Sequence, residues 1–84
     1  MTKQMTLTED DHLMGYKRDD ELLVELGGIV PSGSLVVIED EGKSYLCRYE
    51  NIDGKKFLWP PRGFDPSEYD RLIVGRAVEL KRKL

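Results

Sequence analysis

Eighty-four residues, 39% hydrophobic and 35% charged, make one small globular domain at most. No apolar run nears the ~20 residues of a membrane span, and a net charge of −3 disfavours general affinity for nucleic acid. Cys47 is the only cysteine and His12 the only histidine, which excludes an internal disulfide and argues against a four-ligand zinc site.

Residues 1–18 read as an N-terminal tail. Positions 1–6 carry no periodicity, and Thr8 before Glu9, Asp10 and Asp11 looks like the capped start of a short helix or bend that Gly15 ends. A single β-rich domain is expected over 19–84. Its first stretch, 19–26, is ambiguous. Leu22, Leu23 and Leu26 suit a helix face, Val24 and Leu26 a strand, and the reading favours a helical turn closed by Gly27-Gly28.

From Ile29 the period changes to two. Residues 34–39 form a buried strand, Asp40-Glu41-Gly42-Lys43 a hairpin turn, and 44–51 a second strand with Tyr45, Cys47 and Tyr49 on one face. Leu46, Arg48 and Glu50 take its other side, the alternation of a half-exposed antiparallel strand. Asp53-Gly54 marks another turn, and 55–59 is a third strand that Pro60-Pro61 must end. Residues 62–70 are a loop with a turn of helix near Ser67. Residues 72–81 return as the last strand, where Gly75 permits a bulge or a close backbone approach. The predicted fold is mainly β: a small curled antiparallel sheet or partial barrel with a short helical segment at its N-terminal side.

Three segments carry a likeness: Ile29-Val-Pro-Ser-Gly-Ser-Leu-Val-Val-Ile, Gly42-Lys-Ser-Tyr-Leu-Cys-Arg-Tyr and Ile73-Val-Gly-Arg-Ala-Val-Glu-Leu-Lys-Arg. Their order and spacing resemble the C-terminal domain of LexA-type and phage-type self-cleaving repressors, over residues 29–82. The resemblance implies a serine hydroxyl activated by a neutral buried lysine, cutting an Ala-Gly bond in its own chain. Carried over by position, the serine falls at Glu25 or Leu26 and the lysine at Cys47, and the sequence contains no Ala-Gly pair. The chemistry fails at both positions, because only a basic lysine in a water-poor site can take the hydroxyl proton.

Ser32 and Ser34 read as turn residues, Lys43 as a hairpin-end cation, Cys47 as a core thiol and His12 as solvent-facing. The carboxylate runs Glu9-Asp10-Asp11 and Asp19-Asp20-Glu21 lack the spacing of an EF-hand loop and read as solvated helix starts. Lys81, Arg82 and Lys83 read as a solvated basic tail. No catalytic residue, metal or cofactor is expected. Aromatic residues crowd the strands and the loop between them, interleaved with arginines. Trp59, Arg62, Phe64, Tyr49 and Arg48 are therefore the expected partner-contacting residues, with Trp59 before Pro60-Pro61 foremost.

In the family this domain pairs subunits and meets regulators. The resemblance thus implies a cytoplasmic, non-catalytic module of phage or bacterial gene regulation that binds a protein partner or itself, as in a homodimer. No helix-turn-helix fits before residue 29, so direct operator binding is not expected. Alternatives are a remnant serine or cysteine self-cleaving peptidase, a phage-encoded inhibitor, and a small β domain that binds single strands through Tyr49, Trp59 and Arg62.

Overall fold

Six strands form one open antiparallel sheet in the computed structural model, which describes residues 1–12, 14–27 and 30–82. In chain order they are β1 (Thr2–Thr6), β2 (Glu21–Leu26), β3 (Leu35–Asp40), β4 (Lys43–Ile52), β5 (Lys55–Trp59) and β6 (Ile73–Lys81). A 3₁₀ turn at Pro66–Glu68 runs into the single-turn helix α1 (Tyr69–Leu72) just before β6. The spatial order is β1-β2-β6-β3-β4-β5, which places β6 centrally and leaves β1 and β5 outermost. The chain is mainly β, as its periodicity predicts. Gly28, Ile29 and Lys83, which figure in the sequence reading, lie outside the described residues.

The meander β3–β4–β5 follows from its turns. Both hairpins close with two residues at positive φ, Glu41 (50°) with Gly42 (80°) and Asp53 (52°) with Gly54 (81°). That twist matches the flanking strands and fixes the register at Asp40↔Lys43 and Ile52↔Lys55. Ahead of β3, the Ser34 N–H donates to the Pro31 carbonyl at 3.2 Å with Gly33 at φ 91°, a tight turn that delivers the chain into the strand.

The N-terminal part departs from expectation. The presumed tail is β1, antiparallel to β2 with Met5 opposite Leu22, and the stretch assigned to a helical turn is β2 itself. Leu22 and Val24 are both buried and Leu23 is less so, which is strand periodicity. The local leucine spacing favours a helix, but pairing to β1 on one side and β6 on the other satisfies the backbone and overrides it. Among the described residues, helical conformation occurs only between Pro66 and Leu72, not near the N-terminus.

Each face of the sheet carries a buried cluster. Val36, Ile38, Cys47, Tyr49 and Leu58 pack under Tyr69 and Leu72 of α1 on one side. Met5, Leu7, Leu22, Val24, Val37 and Leu46 make the other cluster. Strand β3 supplies Val36 and Ile38 to the first and Val37 to the second, all fully buried. Leu46 therefore lies in a core while Arg48, on the same face of β4, is exposed. Gly75 of β6 lies close against the backbone of β2. A Cβ there would collide with the Glu25 carbonyl oxygen and reach within 2.8 Å of Val24 Cγ1.

Between β1 and β2, the described residues 7–12 and 14–20 are tied together by hydrogen bonds. Leu7 N–H donates to the Asp20 carbonyl (2.9 Å), and Asp11 and Tyr16 exchange backbone bonds of 2.8 and 3.0 Å. The carboxylates expected at helix starts serve this loop. Asp11 accepts from Met14 N–H, Asp10 from Arg18 N–H and Asp20 from Lys17 N–H. Asp20 is buried and also holds Arg82 at 2.9 Å, while Arg82 donates to the Gly15 carbonyl at 3.0 Å. Arg82 is thus the clasp between the end of β6 and the N-terminal loop, not part of a solvated tail.

Candidate interaction surface

The two positions where the resemblance places a reactive pair hold quiet side chains, and the sheet keeps them apart. Glu25 is opposite Arg76, Arg76 opposite Val36 and Val36 opposite Cys47. They share one row across the sheet, but three strand spacings of ~4.8 Å separate Glu25 from Cys47. The Arg76 guanidinium lies 2.7 Å from the Glu25 carboxylate and holds its pKa below the usual range. Cys47 is fully buried, its thiol donating to the Pro60 carbonyl at 3.9 Å. Burial pushes the thiol pKa up against the pull of the nearby Arg62 guanidinium, so the nucleophilic thiolate is disfavoured.

The other groups weighed as nucleophile or base are committed elsewhere. The Ser32 hydroxyl donates to Glu50 (3.0 Å) and accepts from Asn51 N–H (2.9 Å). Lys43 meets Glu9 at 3.4 Å, and that carboxylate raises its pKa, opposite to what a general base needs. His12 is exposed. Among the described residues, no group of three or more His, Cys, Asp or Glu side chains could hold a metal ion. A groove of about 470 Å³ runs between the end of β2 and the start of β6, with Tyr49, Asn51 and Asp70 on its wall. Its carboxylate is engaged by Lys56 Nζ at 2.7 Å.

The five residues expected to contact a partner are divided by the sheet. Tyr49 is only 6% exposed and sits in the core cluster under α1. Arg62 is an internal strut whose side chain is 19% exposed. It pairs with Asp11, donates to the Leu46 carbonyl at 3.1 Å and lies 5.3 Å from the centre of the Tyr45 ring. Its Nε is buried without a partner among the described residues. Phe64 meets Tyr45 edge-on at 6.2 Å and packs against the same cluster. Tyr49 by its inward parity on β4, and Arg62 and Phe64 by their contacts, thus hold the loop after β5 against the sheet.

Trp59 and Arg48 lie on the opposite, open face, directly across from each other on β5 and β4. Trp59 is 58% exposed, and two residues not singled out as contacts join it: Phe57 at 48% and Ile52 at 57%. Phe57 and Trp59 are two apart on β5 and so share a face. Ile52, Glu50 and Arg48 share it on β4 through the Ile52↔Lys55, Glu50↔Phe57 and Arg48↔Trp59 pairs. The alternation of Phe57 and Trp59 before Pro60 was the sequence signal for this stripe. Only the burial of Leu58 says which parity faces out.

In comparisons with known proteins, no family model and no curated protein matches the chain.

Proposed function

We propose that the chain is a non-catalytic protein–protein association module, of the kind the likeness to repressor C-terminal domains implies, acting in phage or bacterial gene regulation. The exposed apolar stripe Ile52–Phe57–Trp59 carries this reading. Phe57 and Trp59 lie on the outermost strand β5 with Ile52 and Arg48 beside them on β4, and no neighbouring strand among the described residues covers the far edge of β5. Trp and Arg on a rigid strand are the residue types that dominate interface energetics, and an uncovered strand edge invites pairing. The absence of an activated nucleophile at Glu25, Ser32, Lys43 or Cys47 supports association over peptidase chemistry.

The test compares the wild-type chain with Phe57→Ser/Trp59→Ser. Association is followed by cross-linking and by retention of proteins from the encoding cells, and self-cleavage by intact mass after alkaline incubation. The expected result is association by the wild type, its loss in the variant, and an unchanged mass. Cleavage fragments, or an equal absence of association in both proteins, would overturn the proposal.

A further inference from the structure

Strand β5 offers a second copy of itself a complementary edge in a single register. The two-residue turn at Asp53-Gly54 makes Ile52 and Lys55 a hydrogen-bonded pair, and the alternation continues through Glu50–Phe57 and Arg48–Trp59. Tyr49, at an intervening position of β4, confirms the parity: its N–H donates to Ser34 O (2.8 Å) and its carbonyl accepts from Gly33 N–H (2.6 Å), both on the β3 side. By the same alternation the N–H and C=O groups of Lys56 and Leu58 point away from β4. Nothing among the described residues pairs with these four groups. Beside them runs an open groove of about 450 Å³ between Gly54–Phe57 and the turn at Pro66 and Ser67.

From the association reading above, on which this inference rests, we infer that the partner strand is β5 of a second copy, antiparallel about a two-fold axis through Phe57. In that register Lys56 and Leu58 of one chain bond reciprocally with Leu58 and Lys56 of the other, satisfying all the outward groups. The two Phe57 rings meet at the axis as a close, non-hydrogen-bonded pair. Each Lys55 stands opposite the partner's Trp59 on the exposed face, a cation over the best aromatic acceptor.

Competing two-fold registers fail on named side chains. An axis at Lys56 sets two lysines, each paired with its own Asp70, against each other and puts the turn residue Asp53 opposite Trp59. An axis at Leu58 calls on Pro60, which has no N–H, is fully buried and whose carbonyl already accepts from Cys47. Lysines on an edge strand ordinarily deter pairing. Here each meets a ring or an apolar chain instead of another lysine, so the edge is selective for one arrangement. The interface is isologous and closes as a dimer. Two five-residue strands make a small contact, so a weak, concentration-dependent dimer is expected.

Sedimentation velocity of the purified chain from low micromolar to near-millimolar concentration reads the dimer directly. Trp59 is the only tryptophan, so its emission should shift to the blue as the dimer forms. Trp59→Lys places Lys55 opposite a second ammonium and should weaken dimerisation by about tenfold or more. The exchange Lys55→Trp/Trp59→Lys restores the cation–ring pair across the axis and should recover the dimer in this register. A chain that stays monomeric throughout, yet retains another protein through Phe57 and Trp59, would overturn the self-pairing and leave the association reading standing. A dimer indifferent to Trp59→Lys, or one not recovered by the exchange, would likewise overturn it.

Discussion

The β3–β4–β5 meander and the β1–β2–β6 half of the sheet are built from similar strands but held together in different ways. In the meander, neighbours in space are neighbours in sequence, and each register is set by a two-residue turn. In the other half, Thr6 pairs with Glu21 across a long connection, and Leu22 with Leu80 across most of the chain. Its register depends on a close glycine contact, a buried carboxylate and packing of Leu22 and Val24. Local turns specify a hairpin even before its core forms, whereas long-range pairing must offset a larger loop-closure entropy with specific tertiary contacts.

The sharpest way to break the comparison is at Gly75. Gly75→Val drives a side chain into the Glu25 carbonyl and Val24, and should cost about 3 kcal/mol or more by urea denaturation. The loss falls on the β2–β6 contact, so hydrogen exchange should accelerate in β1 and β2 before the meander. An unchanged midpoint would mean that β2 and β6 are not packed this closely.

Next is the Asp20–Arg82 clasp. Arg82→Ala leaves a buried carboxylate short of its guanidinium donor and should cost about 2 kcal/mol at neutral pH. The Arg82 hydrogen bonds hold the Asp20 pKa below its ordinary value. The stabilisation is therefore complete above about pH 4 and lost as pH falls through the lower, folded-state pKa. Urea midpoints measured down this acid limb should fall less steeply in Arg82→Ala than in the wild type, and parallel limbs would contradict the linkage.

A smaller effect belongs to the meander's own turn. Gly54→Ala strains a residue at φ 81° and should cost about 1 kcal/mol, all of it backbone strain because a Cβ there meets open space. Smallest of all is Trp59→Ser, which removes an exposed ring and should leave stability within about 0.5 kcal/mol while weakening association. A large stability loss at Trp59 would instead make the stripe part of the fold.

The regions also differ in how far they could be read from residues alone. Asp40-Glu-Gly-Lys, Asp53-Gly and the stop at Pro60-Pro61 were legible because each encodes a backbone conformation within a few residues. The β5 bounds and the turn of helix near Ser67 followed in the same way, whereas Gly75 could be read only as a bulge or a close approach, without the strand it meets. Leu22-Leu23-Val24-Glu25-Leu26 was not legible, since its spacing serves either period and only β1 and β6 decide between them. The site was half legible: Trp59 and Arg48 stand on the exposed face, whereas Tyr49, Arg62 and Phe64 turned inward.

By itself the sequence determined the β class, the two hairpins and the want of a serine–lysine pair at the positions the family resemblance singles out, because each rests on local backbone preference or on residue identity. Only the tertiary structure decided that the N-terminus is a strand, that acidic side chains order a loop, that Arg82 is a clasp and that Ile52, Phe57 and Trp59 share an open face. Those outcomes depend on which side of a strand is covered and on pairs distant in the chain, and neither is encoded within the reach of a turn.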